Sequence, residues 1–133
     1  MNRTEIIERL RDFPYGRKDY WVVAGGAMVM HGIREETSDI DLGCTSSMAD
    51  RLEAEGIPFA VTADGSRRFR IGSDIEVFEN WLYDKVILSD GIPVISVHGL
   101  LTMKQHLGRD KDRRDIALIS QYVRRQTAKE ENA

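Results

Sequence analysis

The apolar positions change period several times along the chain, and each change marks an element. Residues 4–13 place Ile6, Ile7 and Leu10 at helical spacing with glutamates and arginines between them, which predicts an amphipathic helix. Residues 20–24, Tyr-Trp-Val-Val-Ala, are aromatic and β-branched and predict a strand. Gly25 and Gly26 follow as a tight turn, and residues 27–32 read as a second helix. After a polar loop at 33–38, residues 39–42 alternate acid and aliphatic. That alternation predicts a half-buried strand with Ile40 and Leu42 inward and Asp39 and Asp41 on the opposite face.

Ser46 or Ser47 is placed to cap a helix reaching about Glu55, where Gly56 and Pro58 end it. A strand is predicted from Phe59. Residues 68–71 and 74–78 flank Gly72 and Ser73 as a two-residue hairpin, and residues 85–88 and 93–96 flank Asp90 and Gly91 in the same way. Two helices close the chain at 97–107 and 113–124, joined by a polar link at 108–112, and the polar tail at 127–133 is expected to fray. Consecutive strands in the middle predict an α+β fold in one domain spanning 1–133. Its sheet is mixed and largely antiparallel, with helices packed mainly on one side.

Composition agrees with one globular domain: 41% of the 133 residues are hydrophobic and 31% charged. A net charge of -3 counts against broad, sequence-independent attraction to nucleic acid. No stretch approaches the roughly 20 apolar residues of a membrane span, and the polar opening has no signal-peptide core, so a cytoplasmic protein without a membrane partner is expected. Cys44 is the one cysteine, which excludes an intrachain disulfide and a thiolate-rich zinc site. It reads as a small buried side chain.

Two residues apart on a strand, Asp39 and Asp41 leave the same face with Cα atoms about 6.5 to 7 Å apart. Alone, such a pair is ordinarily a solvated strand face. Glu76 stands between Ile75 and Val77 in the same outward position, so three acids can converge on one spot. Like charges about 4 Å apart repel by about 4 kcal/mol at an effective dielectric of about 20, so such a cluster calls for a cation. Oxygen-only ligands match Mg²⁺, and neither Cys44 nor His31, His98 and His106 offers zinc-type spacing. The histidines read as packing or surface residues. Gly25 and Gly26 taken alone are common punctuation, yet a glycine turn opening a helix lets backbone N–H groups approach a phosphate.

The run VVAGGAMVMHGIREETSDIDLG resembles the signature of the DNA polymerase β-like nucleotidyltransferase superfamily, in which a glycine turn follows a strand and precedes a helix and an acid-hydrophobic-acid strand. Twelve residues separate Gly26 from Asp39, within that superfamily's usual spacing, and Arg34 and Thr37 resemble residues seen just before its acids. The later run LLTMKQHLGRDKDRRDIALI is similar to a segment of the minimal bacterial AbiEii-like branch.

The resemblance implies a Mg²⁺-dependent transfer of a nucleoside monophosphate from an NTP to a hydroxyl acceptor, which could be a protein, tRNA or small molecule, in a toxin–antitoxin setting. It further implies that Asp39 and Asp41 bind two Mg²⁺ ions and that Glu76 holds the ion beside the attacking oxygen. Gly25 and Gly26 would grip the β- and γ-phosphates. Lys104 would add a phosphate contact, with Arg109 and Lys111 as weaker candidates. Glu76 stands where the superfamily most often has Asp, and Asp74 lies on the same strand face. The helical region with which larger relatives grip base and acceptor is missing. These departures keep a second function open, a catalytically degenerate domain that binds nucleotide or a partner protein. They also leave room for a partner or a homodimer to complete the site.

Overall fold

The computed structural model describes residues 1–131, in which the elements run α1 (Arg3–Arg11), β1 (Tyr20–Val23), α2 (Ala24–Met30), β2 (Ile40–Cys44), α3 (Ser46–Ala54), β3 (Phe59–Val61), β4 (Arg67–Ile71), β5 (Ile75–Glu79), β6 (Val86–Ser89), β7 (Ile92–Ile95), α4 (Val97–Leu107) and α5 (Asp112–Glu131). The strands form a seven-stranded sheet in the order β3-β4-β5-β2-β1-β7-β6. Most neighbours are antiparallel; β2 with β5 and β1 with β7 are parallel. The expected α+β architecture, a mixed and largely antiparallel sheet flanked by helices, is the one observed.

Register follows from the alternation of side chains. The pairing of β2 with β5 sets Ile40 beside Ile75 and Leu42 beside Val77, and all four are at most 1% exposed. A slip of one residue would carry these apolar side chains to the other face, which fixes the pairing. Tyr20, Val22, Cys44 and Phe69 extend the same buried face. α1 and α3 lie over it. Phe13, just beyond α1, meets the Tyr20 ring edge-on at 5.2 Å, and Arg67 of β4 bonds Glu79 while reaching Asp50 and Glu53 of α3. The Arg67 hydrogen bonds hold the Glu79 carboxyl down to about 2. Cys44 is fully buried as expected, and burial with the nearby Glu79 charge pushes its thiol up to about 12. Among the described residues, no helix is long and apolar enough to cross a membrane.

Several local expectations need correction. α2 begins at Ala24, so Gly25 and Gly26 lie inside its first turn. The left-handed residue at the junction is Ala24, with φ 54°. The cap of α3 is Thr45, whose hydroxyl accepts the Met48 N–H at 3.2 Å, in place of a serine one or two residues on. Ile71 pairs with Ile75, so the β4–β5 turn holds three residues, of which Gly72 has φ 62°. The turn at Asp90 and Gly91 is the expected two-residue hairpin, both residues having positive φ. Residues 127–131, expected to fray, continue α5, since the Ala, Lys and two Glu that follow Thr127 are strong helix formers. Residues 132 and 133 of that tail lie outside the described residues.

Candidate functional site

The sheet face opposite the buried one carries the acids. Asp41 and Glu76 are register partners on parallel neighbours β2 and β5, whose backbones run about 4.8 Å apart. Asp39 precedes β2 and is exposed, whereas Asp41 is half-buried. The Asp41 carboxyl is pushed up to about 6, first by burial and then by the charges of Glu76 and Asp39, with Lys104 and Arg68 acting in the opposite direction. Asp41 therefore feels the negative charge of both Glu76 and Asp39. Among the described residues, however, no three His, Cys, Asp or Glu side chains are gathered closely enough to hold a metal as they stand. Glu76 is engaged elsewhere: its Oε1 accepts Arg70 Nη1 at 3.0 Å, and its Oε2 lies 3.7 Å from Arg68 Nε. Asp74 is also committed, accepting Arg9 of α1 at 2.8 Å.

The first turn of α2 stands beside these acids, because Val23, its N-cap, pairs with Asp41 across β1 and β2. No side chain caps this end of the helix. Gly25 is required by close packing and not by its backbone angle: a Cβ there would fall 2.5 Å from Thr37 Oγ1 and 3.2 Å from Arg34 Nη1. Gly26 likewise lies against Val22, where a Cβ would meet Cγ1 at 2.9 Å. Gly25 thus lets the 33–39 loop, which delivers Asp39, close over the start of α2, and Gly26 lets α2 pack against β1. Gly25→Ala is accordingly expected to cost about 1–3 kcal/mol in urea unfolding, the usual range for overpacking. It should also displace Thr37 and Asp39. An unchanged unfolding midpoint would count against this account of Gly25.

Lys104, anticipated as a phosphate contact, is only 6% exposed. Its Nζ donates to Asp115 at 3.1 Å and to Asp112 at 3.4 Å. Arg34 pairs with Asp115 from the other side, and Arg109 donates to Asp112 through Nε at 2.8 Å and Nη2 at 3.1 Å. The chain Arg34–Asp115–Lys104–Asp112–Arg109 ties the loop before β2 to α4 and α5. Lys104 still faces the acids, since its charge lowers the proton affinity of Asp41. Lys111 is exposed at the rim. His31 Nε2–H donates to the Ile95 carbonyl at 2.7 Å and burial lowers its pKa, while His98 and His106 are exposed.

A cavity of about 540 Å³ lies between the acidic face and α4–α5, with Gly25, Asp39, Asp41, Glu76, Lys104 and Lys111 in its wall. Among the wall residues that the sequence reading does not reach are Arg68, Phe78, Trp81, Asp112 and Asp115. Phe78 and Trp81 stack at 4.0 Å, and the Trp81 carbonyl accepts Trp21 Nε1–H at 2.7 Å. Gly43 makes this possible, since a Cβ there would sit 2.2 Å from the indole nitrogen. A glycine inside the acid-bearing strand was the one available signal of such a close approach. Arg68 could have been found from the alternation of β4 had the β4–β5 register been known.

A search of protein-family profiles and of curated proteins gives no match to the sequence. Solved structures do match. One is the 1.87 Å crystal structure of a protein from Thermotoga maritima described as a candidate nucleotidyltransferase, with a TM-score of 0.58 at 16% identity, covering 97% of this chain and 96% of that one. The chain therefore has a nucleotidyltransferase-like fold.

Proposed function

We propose that this chain is a Mg²⁺-dependent nucleotidyltransferase that moves a nucleoside monophosphate from an NTP to a hydroxyl acceptor, in the manner of the minimal AbiEii-like branch. The observation that carries the reading is the pairing of Asp41 with Glu76 on adjacent strands, with Asp39 close by and the uncapped start of α2 alongside. The donor set fits a hard divalent cation: it is all oxygen, and burial, with the charges of Glu76 and Asp39 adding to it, raises the proton affinity of Asp41 in a way a bound cation would offset. Asp39 and Asp41 would hold two ions and Glu76 the one nearer the acceptor. Bound there, the ions would supply activation of the acceptor hydroxyl and stabilisation of charge on the α-phosphate.

The remaining work falls to the chain's own groups. The acceptor oxygen forms a bond to the α-phosphorus, the bond from that phosphorus to the β-phosphate oxygen breaks, and pyrophosphate leaves. The hydroxyl proton passes to Glu76 and then to solvent. Backbone N–H groups at Gly25 and Gly26 receive the β- and γ-phosphates, and Lys104, with two of its three N–H donors committed to carboxylates, offers the third.

Incubation with Mg²⁺ and labelled NTPs, with candidate protein and tRNA acceptors, tests the proposal. Transfer by the wild type that is lost in Asp39→Ala/Asp41→Ala supports it; no transfer and no Mg²⁺-dependent NTP binding would reject it. Because Asp41 must ionise to act as a ligand, Mg²⁺ affinity is expected to fall by up to roughly tenfold per pH unit below about 6. Calorimetry at about pH 5 and about pH 7.5 reads this directly. An affinity flat across that range would show that Asp41 is not a ligand.

One observation favours a second reading, a domain that binds nucleotide or a partner without turnover: Glu76 is held by two arginines and the acids are not gathered as they stand. Under that reading, NTP binds but no labelled product forms with any acceptor.

A further inference from the structure

The registers of four strands place Val23, Asp41, Glu76 and Arg70 in a single row across the sheet. At about 4.8 Å per strand the row spans about 14 Å. Its first end opens into α2, the side the proposed function gives to the triphosphate. Its far end is Arg70, with Arg68 on the same face of β4, opposite Phe78. These two arginines lie beyond the third acid, on the side away from the phosphate-binding turn.

Their charge is not balanced where they stand. Among the described residues Glu76 is the one carboxylate that Arg68 and Arg70 meet, so two positive charges face one negative charge. Both arginine side chains are more than half exposed, at 53% and 54%. Exposed pairs of this kind contribute about 0–1 kcal/mol, so they exchange partners readily. A cation at Glu76 would take that one carboxylate from both arginines. Arg70 keeps Nη2 on the Ser73 carbonyl at 3.1 Å, so the exposed Arg68 fork and the freed Nη1 of Arg70 are then matched by the oxygens of a phosphate.

We propose that Arg68 and Arg70 are the anion site of the acceptor, which therefore carries a phosphate close to its reacting hydroxyl. This rests on the nucleotidyltransferase reading for the meaning of Glu76, but the site itself is a statement about two arginines and a phosphate. Protein hydroxyls and neutral small molecules are thereby disfavoured as acceptors. Glu76 and the acceptor phosphate compete for the same arginines, so Glu76 doubles as a latch that occupies the site until the metal arrives.

Direct binding of inorganic phosphate and of a short single-stranded RNA with a free 3′-hydroxyl, measured with Mg²⁺ present so that Glu76 is drawn off the arginines, separates the outcomes. Wild type is compared with Arg68→Gln/Arg70→Gln and with Arg124→Gln/Arg125→Gln, which removes the same charge from the exposed flank of α5. The β4 variant is expected to lose roughly tenfold or more in affinity for the better of the two probes. With RNA, its salt-dependence slope should also shrink by roughly 1.4, about 0.7 for each phosphate contact removed. The α5 variant should bind as wild type does, and circular dichroism verifies that both variants are folded. Without Mg²⁺, Glu76→Gln should bind phosphate several-fold more tightly than wild type, because it frees both arginines. Tighter binding of RNA than of phosphate identifies a nucleic-acid end as the source of the phosphate, and the reverse identifies a small phosphorylated compound. The proposal is overturned if neither probe binds wild type, if the β4 variant binds as well, if the α5 variant loses as much, or if Glu76→Gln weakens binding. NTP binding, measured in parallel, fails only if the nucleotidyltransferase reading is wrong.

Discussion

Asp41→Asn is expected to raise the melting temperature of the metal-free protein at neutral pH while lowering the proposed transfer by roughly a hundredfold or more, since it removes the charge of a proposed metal ligand without moving the side chain. The two effects have one cause. Asp41 is half-buried, and Glu76 and Asp39 repel its charge, so its pKa in the folded chain is raised to about 6 from an ordinary 3.8. A shift of that size corresponds to a destabilisation on the order of 2 kcal/mol when the group is ionised, allowing for partial exposure. With the folded pKa raised, the stability tied to this group is fully present below about 4 and is lost as pH rises through about 6. The gap between the melting curves of wild type and Asp41→Asn should therefore open between about pH 4 and about pH 7 and narrow again when Mg²⁺ is added to wild type. A carboxylate kept for structure would behave in the opposite way, and a destabilised Asp41→Asn protein would mean that the acidic face is not a ligand site.

Lys104→Ala is expected to destabilise the fold by about 3 kcal/mol, the lower end of the range for removing one partner of a buried ion pair. Asp112 is 1% exposed and Asp115 8%, and both depend on Lys104. Each keeps one arginine, Arg109 and Arg34 respectively, which is why the loss stays at the low end. Lys104→Met preserves the stem and not the charge, so it should recover little. Urea unfolding measures both variants. If Lys104 served only as a phosphate contact, stability would be unchanged and NTP affinity alone would fall, which would refute the structural role assigned to the Arg34–Asp115–Lys104–Asp112–Arg109 chain.

Lys104 also marks where sequence reasoning stopped short. Helical spacing located α4 to the residue, and the lysine on it was visible. Its partners lie 8 and 11 residues further on, across a glycine link whose angle no local pattern reveals. Arg68 and Arg70 were missed for a similar reason: alternation shows that they share a face, but only the β4–β5 register sets Arg70 against Glu76. The glycine pair was read as a turn. Gly25 in fact admits Thr37 and Arg34 close to the start of α2, which depends on a loop that returns from a dozen residues away.

What the sequence determined by itself follows from periodicity and spacing. Alternation of acids with Ile40 and Leu42, and of Glu76 with Ile75 and Val77, dictates that the carboxylates and the apolar side chains leave opposite faces, because a strand repeats every two residues. The helices, the Asp90–Gly91 turn and the α+β class follow from equally local rules. Only the tertiary structure decided that β5 joins β2 in parallel, in the register that sets Glu76 beside Asp41 and Arg70 beyond it. That choice is made by burying Ile40 on Ile75 and Leu42 on Val77 across more than thirty residues of chain. Long-range pairing energy of this kind belongs to the assembled core and to no single segment of the sequence.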